Sequence, residues 1–170
     1  MRRSSLVPWL IAALLAVAAG RSVLAGHGSS TGPAGVQQAV VDRVVDGDTI
    51  IAQLAGGRTE RVRLIGMDTP ESVKPGTPVQ CYALRASAYT KHLLTGRRVR
   101  LVGDVEARDR YGRLLAYVYR EPDGLFVNEQ LVRAGLARPY PFPPNVRFEN
   151  QIATLATRAR EAGRGLWSAC

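Results

Sequence analysis

From residue 36 onward the chain sets short β-branched runs against polar turns. Val40–Val45 and Thr49–Leu54 flank Asp46-Gly47-Asp48, and Ala55-Gly56-Gly57 turns the chain into a third run, Arg58–Gly66. This pattern predicts a three-stranded meander. Because strand side chains alternate between faces, Val62 and Leu64 point one way and Arg61 and Arg63 the other. Met67–Gln80 carries Pro70, Pro75, Pro78 and Gly76, which reads as a long loop of the kind that often carries function. Tyr82, Ala86, Tyr89 and Leu93 then recur at helical spacing and Gly96 supplies a stop, so residues 82–95 are expected to form an amphipathic helix.

Arg97–Val102 and Leu114–Tyr119 return to period-two patterning, the second closed by the turn Glu121-Pro122-Asp123-Gly124. Asn128 is expected to cap a short helix that Gly135 ends. Phe148, Ile152, Leu155 and Ala159 mark a third helix, ended by Gly163. Five strands and three helices, with one helix interrupting the strands and two following them, fit an α+β fold: a five-stranded Greek-key β-barrel of the OB type.

The N-terminal segment stands apart from this patterning. Arg2 and Arg3 precede a fourteen-residue run, Leu6–Ala19, that ends at Gly20 and Arg21. The run is shorter than the roughly 20 residues of a membrane span and fits the apolar region of an export signal. Val23-Leu24-Ala25 places cleavage after Ala25. Residues 1–25 are therefore expected to be a signal peptide, 26–36 a flexible Gly/Ser/Pro-rich leader, and 37–170 the folded domain. Retention of the segment as an anchor is the alternative. Export implies a secreted or cell-envelope location, with no membrane association after cleavage.

The whole chain of 170 residues has 23 Lys+Arg against 14 Asp+Glu, a net charge of +9. Removal of residues 1–25 takes away Arg2, Arg3 and Arg21 and no acid, leaving a net charge of +6. A basic exported domain attracts polyanions such as nucleic acid, anionic glycans or anionic lipid. Cys81 and Cys170 form an even pair in a chain bound for an oxidising compartment, which favours one disulfide over a metal site; two unpaired thiols are the alternative.

Candidate chemistry gathers at strand ends. Asp46-Gly47-Asp48 and Asp68-Thr69-Pro70-Glu71 crowd carboxylates on loops, and oxygen-only ligands suit a hard cation such as Ca²⁺. Asp-Gly and Asp-Thr-Pro are also ordinary turn signals. Arg63 lies on the strand that feeds the second acidic loop, and Arg113 closes Asp109-Arg110-Tyr111-Gly112-Arg113 at the entrance of another strand. A guanidinium fork matches phosphate oxygens in pairs and can stabilise charge that builds up during phosphoryl chemistry.

In these motifs the sequence resembles the staphylococcal nuclease, or thermonuclease, family of secreted Ca²⁺-dependent nucleases. The resemblance runs from about Val41 to Ser168. It is carried by Val45-Asp46-Gly47-Asp48-Thr49, Arg63-Leu64, Asp68-Thr69-Pro70-Glu71, Ala86-Ser87-Ala88-Tyr89-Thr90-Lys91 and Asp109-Arg110-Tyr111-Gly112-Arg113. It continues through Val127-Asn128-Glu129, Leu131-Val132-Arg133, Gly135-Leu136-Ala137 and Gly165-Leu166-Trp167-Ser168. The resemblance implies an OB-type barrel with Ca²⁺ held by Asp48, Asp68 and the Thr69 carbonyl. It implies that Glu71 positions or deprotonates the attacking water and that Arg63 and Arg113 grip the scissile phosphate. Arg110 and Tyr111 match phosphate contacts, and Tyr140 and Phe142 stand where the family places base-stacking aromatics.

The implied reaction is in-line attack of water on a phosphodiester of DNA or RNA, with the 5′ oxygen leaving and 3′-phosphate products. No stable protein partner is implied, and the chain is expected to be monomeric. A non-catalytic binding module built on the same barrel is the competing class, disfavoured because the acids and arginines are all present. A histidine-based phosphodiesterase is disfavoured because the chain has only His27 and His92.

Overall fold

The computed structural model describes residues 35–73 and 75–170. The expected signal peptide, residues 1–25, and all but the last two residues of the expected leader, 26–36, lie outside the described residues. Eleven elements follow in order among those described: β1 (Val36–Val44), β2 (Thr49–Leu54), β3 (Thr59–Leu64), β4 (Gly66–Asp68), α1 (Ala83–Leu94), β5 (Arg98–Val102), β6 (Leu114–Arg120), α2 (Val127–Arg133), β7 (Arg138–Tyr140), α3 (Glu149–Glu161) and α4 (Leu166–Ala169).

Five of the strands close a barrel in the order β1-β2-β3-β6-β5, with β1 also paired to β5. Closure needs β1 to bend, and its register slips between Val41 and Arg43, which inserts an unpaired residue. Such a bulge kinks a strand and raises its twist. On either side of it Ala39, Val41 and Val44 still face the core. The apolar positions of the third strand behave as the alternation requires: Val62 and Leu64 are fully buried, whereas Arg61 and Arg63 face outward. All barrel pairs are antiparallel except β3 with β6, which run parallel with Arg63 opposite Leu115. This pairing sets the loop that enters β6 beside the outward face of β3.

Two expectations are corrected. The segment Arg58–Gly66 is not one strand. Gly66 adopts a left-handed φ of 81°, where a Cβ would also meet Ile152 Cδ1 at 2.7 Å. The chain pivots there and leaves the barrel as β4, which pairs antiparallel with β7 through Gly66–Tyr140 and Asp68–Arg138. The 67–80 loop therefore starts inside a small second sheet.

Asn128 does not cap α2. Phe126 occupies the cap position, and Asn128 is buried, accepting the Val118 N–H at 2.9 Å and donating to the Ile65 carbonyl at 2.9 Å and that of Ala116 at 3.4 Å. Buried main-chain groups beside a strand that leaves its sheet need partners, and this amide supplies them. The three expected helices are present, and a four-residue α4 follows them. The first strand also begins at Val36, paired with Val102, inside the expected leader.

The core fills the barrel and extends to α1, α2 and α3 through Ala86, Leu94, Leu131, Ile152 and Ala156. A satellite of Ile65, Leu115 and Tyr117 packs with Phe126 and Phe148, whose rings meet Tyr117 edge-on at 6.0 and 4.6 Å. No helix among the described residues is long and apolar enough to cross a membrane.

Candidate active site

The β1–β2 turn brings Asp46 and Asp48 against the β4 end that carries Asp68 and Thr69. Asp48 is 2% exposed, and each of its oxygens has a partner. Oδ2 accepts from the Thr69 backbone N–H and the Thr69 hydroxyl, both at 2.9 Å, and Oδ1 accepts from Thr49 Oγ1 at 3.1 Å and pairs with Arg63. The approach of the two segments depends on Gly47, since a Cβ there would lie 2.6 Å from Thr69 Oγ1. From the other side, the buried Thr90 hydroxyl of α1 donates to the Gly47 carbonyl at 2.7 Å. The Ala86–Lys91 motif thus acts on the turn from a distance of more than 40 residues.

Arg63 bridges two acids: it pairs with Asp48 and donates to Asp68 Oδ1 at 2.5 Å. Burial opposes its charge, but Asp48, Asp68 and Asp46 outweigh that and hold its pKa above the ordinary guanidinium value. Asp46 is pushed up to about 6, first by burial and then by the charge of Asp48. Three carboxylates thus surround one guanidinium, leaving an excess of negative charge and oxygen-only donors, a chemistry that suits a hard cation. Among the described residues no group of three or more His, Cys, Asp or Glu closes around one point.

Glu71 follows on the loop after β4. Its backbone is clamped by Gln80: the Glu71 N–H donates to Gln80 Oε1 at 2.8 Å and the Gln80 N–H donates to the Glu71 carbonyl at 3.0 Å. Glu71 Oε1 accepts the Val73 N–H at 2.8 Å. Cys81 comes directly after Gln80 and is joined to Cys170, their Cα atoms 5.9 Å apart. The base of the loop is thereby tied to the end of α4.

The opposite wall is the loop that enters β6. Arg113 is fixed by Asp109, whose Oδ2 accepts from Nε at 2.7 Å and whose Oδ1 accepts the Arg113 and Tyr111 N–H groups at 2.9 and 3.0 Å. Tyr111 is 68% exposed, with the Arg110 and Arg113 guanidiniums 4.9 and 5.5 Å from its ring centre. Arg110 donates to the Tyr111 hydroxyl at 2.7 Å. Arg108 anchors the loop to the barrel through a paired contact with Glu60 of β3 at 2.7 and 2.9 Å and a bond to the Gly112 carbonyl at 2.7 Å. Arg108 in turn holds the Glu60 carboxyl below its usual range.

These walls enclose a cleft of about 1160 Å³. Arg63, Asp68, Glu71, Arg110, Tyr111 and Arg113 line it together with Tyr140 and Phe142. Asp48 and Thr69 sit behind Arg63 and Asp68, with Thr69 lining an adjoining recess of about 280 Å³ that also contains Asp46, Asp68 and Glu71. Tyr140 presents a half-exposed ring, whereas Phe142 packs partly onto the Ile65–Leu115–Tyr117 satellite and forms the floor. Sequence reasoning singled out the Asp46-Gly47-Asp48 turn without assigning Asp46 a role. It gave no role to Asp109, Gln80 or the Glu60–Arg108 pair, although Asp109 four residues before Arg113 is a readable spacing.

Comparison with known proteins agrees with this geometry. Residues 61–169 match the family model described as staphylococcal nuclease homologue. The thermonuclease of Staphylococcus hyicus is 44% identical over 128 residues, covering 75% of this chain and 74% of the relative. That of Staphylococcus intermedius is 49% identical over 128 residues with the same coverage. Endonuclease YncB of Bacillus subtilis (strain 168) is 40% identical over 130 residues, covering 75% of this chain and 60% of the relative. With its closed barrel, its two-walled cleft and these relatives, the chain belongs to the staphylococcal nuclease family.

Proposed function

We propose that this enzyme is an exported, Ca²⁺-dependent nuclease that hydrolyses phosphodiester bonds of DNA or RNA by in-line attack of water, leaving 3′-phosphate products. The observation that carries this reading is the meeting, across one cleft, of the Arg63–Asp68–Glu71 wall with the Arg110–Tyr111–Arg113 wall. Thermonuclease relatives support a nuclease acting on nucleic acid. Asp48, Asp68 and the Thr69 carbonyl are the residues that would hold the cation. When bound, it would withdraw electron density from the phosphate and stabilise its developing charge.

The protein's own groups supply the rest. Glu71, its backbone clamped by Gln80, accepts a proton from the attacking water. Arg113, held in a fixed orientation by Asp109, and Arg63 donate paired hydrogen bonds to the phosphate oxygens as charge accumulates on them. Arg110 and Tyr111 contact a neighbouring phosphate. Tyr140 and Phe142 offer apolar faces to a base, and pairing such faces with a basic groove suits single strands. The enzyme acts as a monomer outside the cytoplasm after loss of residues 1–25, with Cys81 and Cys170 oxidised.

Cleavage of DNA and RNA, measured with Ca²⁺ added, with Ca²⁺ chelated and with Mg²⁺ supplied in its place, tests the reading. Activity should appear with Ca²⁺ and fall to background on chelation. Mg²⁺ should substitute poorly, since it demands tight octahedral geometry that a site with few protein ligands does not impose. Full activity in Mg²⁺ alone would overturn the assignment of the ion.

A further inference from the structure

Arg61 lines the cleft from β3, on the same outward face as Arg63 and two residues before it. Side chains so related stand on the order of 7 Å apart along a strand. The parallel register sets Val62 against Leu114 and Arg63 against Leu115. One further step back along both chains puts Arg61 beside Arg113. The guanidiniums around it are engaged: Arg63 with Asp48 and Asp68, Arg108 with Glu60, and Arg113 with Asp109. The acid adjacent to Arg61, Glu60, takes Arg58 at 2.9 Å and Arg108 at 2.7 Å. Glu106 also lines the cleft and is not ion-paired with Arg61. Among the described residues Arg61 is thus a cleft arginine with no ion pair or side-chain hydrogen bond, flanked by the two arginines assigned to the scissile phosphate.

We propose that Arg61 forms a separate phosphate subsite, which takes, in a single strand laid along β3, the neighbour of the scissile phosphate that Arg110 and Tyr111 do not contact. The inference rests on the nuclease reading and deepens it. An exposed guanidinium that has no carboxylate to satisfy it can take a phosphodiester in paired hydrogen bonds. Its spacing from Arg63 along the strand is close to that of successive phosphates in an extended polynucleotide. The subsite therefore distinguishes a polynucleotide from a substrate with a single phosphodiester.

The test compares the parent with Arg61→Ala and Arg61→Lys in two measurements. In chelator, binding of an uncleaved single-stranded oligonucleotide is titrated at several salt concentrations. Arg61→Ala should weaken it roughly tenfold, as loss of a charged contact does, and lower the slope of log affinity against log salt by about 0.7. Arg61→Lys should keep the slope and recover part of the affinity. With metal restored, the ratio of kcat/KM for the oligonucleotide to that for a dinucleoside monophosphate should fall by a similar factor in Arg61→Ala. An unchanged slope, or an equal loss on both substrates, would overturn the subsite. A parent that binds the oligonucleotide but cleaves neither substrate with any divalent cation defeats the nuclease reading instead, and the salt slope still decides whether Arg61 holds a phosphate.

Discussion

The two walls of the cleft are held in place by different means. The acid wall is built into the core: Asp48 is almost fully buried, bonded to Thr49 and Thr69 and paired with Arg63, and its turn is gripped by Thr90 from α1. The basic wall is a surface loop that carries the exposed Tyr111, and it is held by the Asp109–Arg113 and Glu60–Arg108 ion pairs. A buried charge network ties chemistry to stability, because removing one member strands the other in low dielectric. In these pairs the guanidiniums stay partly in solvent, 41% exposed for Arg108 and 23% for Arg113, and the Asp109 carboxylate has two backbone N–H donors besides Arg113, so the second wall can change its chemistry at a smaller cost in stability.

Asp48→Ala should produce the largest effect. It leaves Arg63 without its buried partner and should destabilise the domain by about 3–5 kcal/mol while abolishing cleavage. Urea unfolding measures the first and a nuclease assay the second. A loss of activity at unchanged stability would show that the acid wall is not part of the core after all.

Arg113→Ala is expected to behave in the opposite way. Turnover should fall by roughly 10² to 10³, the loss typical of one transition-state donor, with less weakening of an uncleaved nucleotide and a drop in the thermal transition smaller than that of Asp48→Ala, since Asp109 keeps its two backbone N–H donors. Glu71→Gln should share this pattern, since an amide cannot accept the proton. If Arg113→Ala unfolds the protein, or if both variants stay folded and cleave within a few-fold of the parent, the contrast between the walls fails.

Gln80→Ala sharpens the comparison with the smallest expected effect. The variant removes one of the two bonds that hold the Glu71 backbone and keeps the other. A neutral hydrogen bond contributes about 1 kcal/mol. A loss of roughly two- to tenfold in kcat, at unchanged KM and thermal transition, is the outcome that fits positioning of Glu71. A change confined to KM would instead place Gln80 on the substrate.

What was legible in the sequence follows from the range of the forces involved. Period-two apolar alternation marked the five barrel strands because each half-buried strand must carry it, whereas the motifs that line the cleft read locally as ordinary turns, and only the family resemblance singled them out. Asn128 was misread because the local rule for a cap competes with a tertiary demand, the buried carbonyls of Ile65 and Ala116, that no local pattern encodes. β4 and β7 are three residues each and lie about 70 residues apart, with a proline in one of them, too short to show any period. The Glu60–Arg108 pair spans 48 residues. Like the placement of Arg61 beside Arg113, it arises from the parallel β3–β6 register, which becomes visible only once the barrel closes.

The link between Cys81 and Cys170 also divides the chain topologically. With the bond formed, residues 81–170 are a covalent ring and the residues before them a tail attached at one point. Arg110, Tyr111, Arg113 and Tyr140 ride on the ring, and Asp48, Arg63, Asp68 and Glu71 ride on the tail. A single peptide cut anywhere within the ring leaves one connected molecule with every cleft residue still attached. A cut between Glu71 and Cys81, where Val73, Pro75, Gly76, Pro78, Val79 and Gln80 are exposed, divides the two walls into separate polypeptides. These would be held together only by noncovalent packing, chiefly the pairing of β3 with β6 and of β1 with β5.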